Sequence, residues 1–81
     1  MRARVIVSLK RTVLDPQGKA IHHAIASLGF KTVVGVRQDK VFEIDLNGVQ
    51  DAGAARSEIE RIAREVLTNP VIEEFSFEIL E

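Results

Sequence analysis

The 81-residue chain contains no cysteine, no tryptophan and no tyrosine. Without cysteine it can form neither a disulfide nor a thiolate metal site. A domain of this length buries only about 60% of its unfolded-chain surface, so its hydrophobic core is small. Because covalent and metal crosslinks of these kinds are excluded, we expect contacts between subunits to supply the additional stability. The lack of cysteine is also typical of cytoplasmic proteins, and we expect that compartment.

Long apolar runs and an excess of positive charge are also missing. No segment approaches the ~20 apolar residues of a membrane span, and the N-terminus lacks the pattern of a signal peptide. The formal net charge of −1 gives no general attraction to nucleic acid. RNA-binding domains stack bases on exposed aromatic side chains, whereas Phe42 is in phase with the predicted core. We therefore expect neither a membrane nor a nucleic acid as a partner.

Hydrophobic periodicity predicts one domain over residues 1–81, with four strands and two helices. Residues 2–10 alternate between apolar and polar side chains, residues 32–37 are rich in valine, and residues 41–46 alternate again after a tight turn at Gln38–Asp39. The last predicted strand contains Phe75, Phe77 and Ile79.

The first helix has a clear start signal. Asp15 is placed to accept a hydrogen bond as the N-cap, and Pro16 then falls at the first helical position. Gly29 can take the left-handed position that ends this helix. A loop from Asn47 to Ala54 leads to the second helix, which ends at Asn69–Pro70. The apolar stripes predicted on the two helices are Ala20, Ile21, Ala24, Ile25 and Leu28, and Ala55, Ile59, Ile62, Ala63, Val66 and Leu67.

The order strand, helix, strand, strand, helix, strand predicts a ferredoxin-like βαββαβ fold of the α+β class, an antiparallel sheet with both helices on one face. In that topology the first strand is central, between the third and the fourth. Arg2 and Arg4 then lie on the open face among four acidic side chains, Glu43, Asp45, Glu74 and Glu78. Cross-strand pairs of opposite charge account in this way for the basic first half and acidic second half of the chain.

No group of residues in the sequence is typical of a catalytic, cofactor-binding or metal-binding site. His22 and His23 are adjacent on a predicted helix, so their side chains diverge by about 100° and cannot hold one metal. We place both on a solvated helix face. No serine or threonine lies within a recognisable base motif, and there is no glycine-rich phosphate loop.

Gly18 is the residue that helix formation does not explain. A glycine in the first turns costs roughly 1 kcal/mol relative to alanine, and no cap requires it there. Close approach of another backbone or another chain is the physical reason that usually selects glycine.

Three short motifs together resemble the PurS family, the small subunit of phosphoribosylformylglycinamidine (FGAM) synthase, an amidotransferase of purine biosynthesis. They are Leu14-Asp15-Pro16-Gln17-Gly18, Val36-Arg37-Gln38-Asp39-Lys40 and Asn69-Pro70-Val71-Ile72-Glu73. The resemblance extends from Val5 to about Glu78. Asp39 departs from it, because such proteins are expected to carry a glycine between these strands.

The resemblance implies a non-catalytic subunit that assembles with itself, as a dimer or larger, and with a glutaminase subunit and a large synthetase subunit. The small subunit would bridge these two and support ammonia transfer, and ATP and Mg²⁺ would be used by the large subunit alone. The partner-contact residues that it implies are Asp15, Pro16, Gln17, Gly18, Arg37, Lys40, Asn69, Pro70 and Glu73. For Asp15, Pro16, Asn69 and Pro70, capping of the helices alone is an equally good explanation.

A ligand-sensing domain of the ACT type is the alternative function. Such domains are small βαββαβ modules that bind amino acids at dimer interfaces, often near a glycine that opens the first helix, and Gly18 would suit that role. We prefer the PurS resemblance because it also accounts for residues 36–40 and 69–73.

Overall fold

Three strands and two helices form the framework of the protein in the computed structural model, which describes residues 1–48 and 51–80. The elements are β1 (Arg2–Leu9), α1 (Pro16–Ser27), β2 (Lys40–Asp45), α2 (Ala52–Ile62), a π-helical turn (Ala63–Leu67) and β3 (Glu73–Leu80). The loop predicted from Asn47 to Ala54 includes residues 49–50, which lie outside the described residues.

The sheet is antiparallel, with the strand order β2-β1-β3. The first strand is therefore central, as predicted, and the ferredoxin-like layout is confirmed. Val5 pairs with Phe42 of β2 on one side and with Phe77 of β3 on the other. Because side chains alternate between the faces, Ala3, Val5 and Val7 all point into the core, where they are fully buried.

Helix α2 packs on the core face of the sheet, chiefly against β3. Ala55 and Ile59 are fully buried, and the π-helical turn continues the contact through Ala63. A π-helical turn holds more residues than an α-helical one and so shifts the phase of the residues after it. This shift explains why Val66, a member of the predicted stripe, is 74% exposed.

The open face of the sheet carries the predicted charge pairs. Arg2 Nε lies 3.0 Å from Asp45 Oδ1. Arg4 bridges the two neighbouring strands, with one guanidinium nitrogen 3.3 Å from Glu43 and the other 3.3 Å from Glu78. These pairs are exposed to solvent, which screens them, so they contribute little to stability.

The predicted strand over residues 32–37 is not formed, and Gln38–Asp39 is not a tight turn. Residues 30–39, here called the arm, instead contain no helix or strand and lead into β2. Valine has a high strand propensity, but a strand also needs a neighbour for its backbone groups. The structure provides that neighbour to residues 2–9, 40–45 and 73–80, and not to the arm.

Helix α1 extends beyond the sheet. Gly18 is its only buried residue, and on its predicted apolar stripe Ile21 is 40% exposed. The described residues measure 51 × 26 × 14 Å and have a radius of gyration of 16.3 Å. A compact domain of this length would have a radius of gyration of only about 12 Å. The sheet is also shorter than the long axis of the molecule, because an eight-residue strand spans about 27 Å. The stripe on α1 is therefore not buried within the subunit.

Replacing Ile59 with alanine is expected to lower the free energy of unfolding by about 2–5 kcal/mol, because it leaves a cavity in the small core. Val66→Ala, on the neighbouring turn, is the matched control and is expected to cost less than about 1 kcal/mol. Urea denaturation of both variants measures the difference. Equal losses would contradict the change of phase at the π-helical turn.

Candidate functional site

A cavity of about 480 Å³ lies at the end of the sheet where β1 stops and α1 starts. It brings together parts of all three motifs, which are far apart in the sequence. Its lining residues are Val7, Leu9, Asp15, Pro16, Gln17, Gln38, Lys40 and Glu73.

Asp15 ties two segments together at the wall of this cavity. Its Oδ1 accepts a hydrogen bond from Gly18 N at 3.0 Å, the predicted N-cap contact, and its Oδ2 accepts one from Gln38 N at 2.8 Å. The residue is 7% exposed. These backbone N–H groups, that of Gln38 first and that of Gly18 second, stabilise the carboxylate and lower the pKa of Asp15.

Gly18 permits a close approach between α1 and the arm. A Cβ atom at this position would lie 2.2 Å from the carbonyl oxygen of Val36. The backbone that requires the glycine therefore belongs to the same chain. The predicted role of Gly18 as a contact with another subunit stays a prediction, while its close packing within the subunit is evident.

Two further side chains hold the arm. Arg37 donates hydrogen bonds from Nη2 to the carbonyl oxygens of Lys10 and Val13, at 3.1 and 3.0 Å. His22 Nε2 lies 3.0 Å from Val33 O and is half-buried. The prediction of a solvated face was therefore wrong for His22, because the arm covers that side of α1. We call α1 and the arm, joined by these contacts, the α1–arm unit.

The opposite wall of the cavity is built around Glu73. Its Oε1 accepts a hydrogen bond from Asn69 N at 2.8 Å, and its Oε2 lies 3.6 Å from Lys40 Nζ. Lys10 Nζ donates to the carbonyl oxygen of Pro70 at 2.9 Å. The loop before β3 is thus attached to the end of β1 and to the start of β2.

The nine predicted partner-contact residues lie around this cavity, at one end of the sheet. Five line the cavity, Asp15, Pro16, Gln17, Lys40 and Glu73, and the other four, Gly18, Arg37, Asn69 and Pro70, form the contacts around it. Gln38 also lines the cavity, although it was not among the predicted contact residues. Its position inside the motif of residues 36–40 was the available signal.

The groups that line this cavity are suited to binding another molecule. Glu73 and Asp15 have their carboxylates engaged by groups of the same chain, while Gln17 is exposed and the Lys40 side chain is 64% exposed. The residues that the structure describes contain no group of three or more histidine, aspartate or glutamate side chains placed to hold a metal ion. Over residues 1–48 and 51–80, no helix has the length and apolar character needed to cross a bilayer.

Comparison with known proteins identifies the family. A family model named PurS, described as phosphoribosylformylglycinamidine (FGAM) synthase, matches residues 2–81. This chain belongs to the PurS family. A curated relative, the PurS subunit of phosphoribosylformylglycinamidine synthase from Archaeoglobus fulgidus, is 42% identical over 76 residues, which are 94% of each chain.

Solved structures of PurS proteins have the same fold. PurS from Methanocaldococcus jannaschii, described as one of the subunits of formylglycinamide ribonucleotide amidotransferase, is 33% identical, with a TM-score of 0.85 over 99% of this chain and 98% of that one. A chain of PurLQS from Thermotoga maritima is 22% identical, with a TM-score of 0.73 over 98% of this chain and 96% of that one, and shares the fold. The resemblance noted in the three motifs is thus confirmed over nearly the whole chain.

Gly18→Ala is expected to lower the free energy of unfolding by about 1–3 kcal/mol, because the new Cβ collides with a backbone oxygen. Gly53→Ala is the matched control, since Gly53 also follows an N-capping aspartate in the first turn of a helix. There the nearest atom to a Cβ is 3.4 Å away, and we expect stabilisation of up to about 1 kcal/mol. Thermal denaturation distinguishes the two. A stabilised Gly18→Ala protein would contradict the observed packing.

Asp15→Asn is expected to destabilise the protein at neutral pH and to make less difference in acid. The pKa of Asp15 is lowered on folding, so its contribution is fully present above its ordinary value of about 3.9 and is lost as the pH falls through the lower value of the folded state. Melting temperatures of the two proteins, measured from pH 7 down to pH 2, should converge. A difference that does not depend on pH would count against the charged carboxylate as its cause.

Proposed function

We propose that this chain is a non-catalytic subunit that joins the glutaminase and the large synthetase subunits of FGAM synthase. Membership of the PurS family over residues 2–81 supports this proposal. The observation that carries it is the gathering of three separate motifs at one cavity whose exposed groups are binding groups. A surface of this kind suits attachment to other proteins, and we propose the cytoplasm as the compartment in which the chain acts.

The chemistry of the proposed complex explains why a bridging subunit is needed. The glutaminase releases ammonia from glutamine, and the synthetase uses ATP and Mg²⁺ to activate the formyl amide oxygen of formylglycinamide ribonucleotide. Ammonia then displaces the activated oxygen and gives the amidine. Ammonia in water at neutral pH is mostly ammonium, which is no nucleophile, so a closed path between the two sites preserves its reactivity. In our proposal this chain helps to close that path.

The residues at the cavity divide between two proposed roles. Gln17 and Lys40 have exposed side chains, although Lys40 also pairs with Glu73, and they are the proposed contacts to partner subunits. Asp15, Gly18 and Arg37 make their contacts within the chain, so we propose that they act by positioning the α1–arm unit.

Self-association is the second part of the proposal. The α1–arm unit presents large apolar side chains to solvent: Leu28 is 76% exposed, Phe30 59% and Val34 93%. Several large apolar side chains exposed along one segment of the chain are a feature of interfaces between proteins. We propose that the chain is a dimer or a larger homo-oligomer.

The ACT-like alternative has lost its main support. It drew on Gly18 as a glycine that opens the first helix. In this chain Gly18 packs against the carbonyl oxygen of Val36, so close packing within the subunit already accounts for the glycine.

Lys40→Gln is expected to lower glutamine-dependent amidination by the reconstituted three-subunit complex by about tenfold, a loss of roughly 1.4 kcal/mol. The reaction with added ammonia should be unchanged, because it needs the large subunit alone. Arg56→Gln is the control: this exposed residue of α2 makes no ion pair within residues 1–48 and 51–80, and its loss should leave both reactions unchanged.

The same assay tests the proposal itself. The pure chain should turn over neither glutamine nor ATP, and mixing it with both partner subunits should give one larger particle on size-exclusion chromatography. A complex of the two larger subunits that forms and transfers ammonia equally well without this chain would refute the proposed bridging role.

A further inference from the structure

The loop before β3 is fixed by hydrogen bonds within the loop and to the first residue of the strand. Asn69 N donates to Glu73 Oε1 at 2.8 Å, and Val71 N donates to Asn69 Oδ1 at 3.1 Å. Ile72 N donates to the carbonyl oxygen of Asn69 at 3.2 Å. Pro70 has no N–H group, and its ring fixes the backbone angle φ. Every backbone N–H group from Asn69 to Ile72 therefore has an acceptor within the chain.

The carbonyl groups of the same loop attach it to the end of β1. Lys10 N donates to Ile72 O at 2.9 Å, and Lys10 Nζ donates to Pro70 O at 2.9 Å. One residue thus holds the loop at two points. The conformation of residues 69–72, here called the β3 loop, is therefore set within the free subunit, before any partner binds.

The β3 loop exposes an apolar side chain. Val71 is 78% exposed, and the neighbouring Ile72 is 39% exposed. A single exposed valine is common on protein surfaces and needs no explanation by itself. Val71, however, is carried on a backbone that is fixed on both sides. A side chain held in this way loses little conformational freedom when it enters a pocket, so its binding is less costly than that of a flexible loop.

The exposed charges next to the β3 loop are positive. Lys10, which holds the loop, and the adjacent Arg11 form no ion pair in the part of the chain that the structure describes. Glu73 ends the loop, but its side chain is only 12% exposed and is engaged within the chain. The following Glu74 lies on the open face of the sheet. A surface complementary to Val71 and its surroundings is therefore an apolar pocket bordered by carboxylates.

We propose that the β3 loop is a preformed anchor, and that Val71 enters an apolar pocket bordered by carboxylates on a partner subunit of FGAM synthase. The inference rests on the bridging function proposed above and names a surface through which the chain attaches. In this arrangement Val71 makes the contact, while Asn69, Glu73 and Lys10 position it.

Val71→Lys tests the apolar contact. The side chain is largely exposed, so folding of the subunit should be unaffected, whereas a lysine in an apolar pocket is unfavourable. Calorimetric titration into an equimolar mixture of both partner subunits should show a dissociation constant raised by at least about tenfold. Val71→Ile keeps the apolar contact and should change the dissociation constant by less than about threefold.

Val66→Lys is the matched control. Val66 is 74% exposed and belongs to the π-helical turn, outside the β3 loop. Its replacement should change the dissociation constant by less than about twofold. Equal losses for Val66→Lys and Val71→Lys would overturn the proposal, because they would show a general effect of the added charge.

The acidic border of the pocket has a separate test. Arg11→Glu should weaken binding by at least about fivefold at low salt and make it less sensitive to added salt, because carboxylates would then face one another. Arg56→Glu makes the same change of charge at an exposed position of α2 and should have little effect. An Arg11→Glu chain that binds as tightly as the wild type would overturn the acidic border.

Crosslinking identifies the protein that receives Val71. The chain has no cysteine, so Val71→Cys can carry a single maleimide-linked benzophenone. Irradiation of the assembled complex should join it to one of the two larger subunits, in a segment that combines apolar residues with aspartate or glutamate. Crosslinks mainly to a second copy of this chain would overturn the proposal.

Failure of the anchor can be distinguished from failure of the bridging function. If the Val71→Lys chain binds the partner subunits and restores glutamine-dependent amidination as well as the wild type does, the anchor is refuted and the bridging function stands. If the wild-type chain binds neither partner subunit, both are refuted.

Discussion

The carboxylate of Asp15 is the interaction on which the shape of this protein depends. One oxygen caps α1 and the other binds the backbone of Gln38, so a single side chain sets the start of the helix and the path of the arm that returns from it. The arm can approach the helix so closely only because Gly18 has no side chain. A charged group that accepts two backbone hydrogen bonds and is nearly inaccessible to water is costly to displace.

The contacts between α1 and the arm provide hydrogen-bond partners for backbone groups, but they leave apolar side chains of α1 exposed to solvent. Asp15, Arg37 and His22 bind the backbone of the arm and of the segment between β1 and α1, while the apolar stripe of α1 remains exposed. In a chain of this length the buried core is already small. The exposed stripe of α1 and the small core are the two grounds for the self-association proposed above.

In the proposed complex, this subunit acts by holding its partner subunits in position. The residues that resembled a family motif lie around one cavity, where most of them hold segments of the chain together. A subunit that organises a surface in this way can bring two active sites together and exclude water between them without contributing a reactive group. In our proposal the partner subunits carry out the reactions, and this chain sets how the two subunits are positioned.

The sequence by itself determined the features that arise from neighbouring residues and from regular alternation. These include the N-cap at Asp15, the central position of the first strand and the pairs that Arg2 and Arg4 make across it. Only the tertiary structure decided what happens at residues 32–37 and on α1, because strand propensity and an apolar stripe specify what a segment prefers to contact but not where that contact is found. The same holds for Gly18, whose partner is Val36, 18 residues further along the chain. Local rules signalled a close approach there, and long-range packing selected the backbone that fills it.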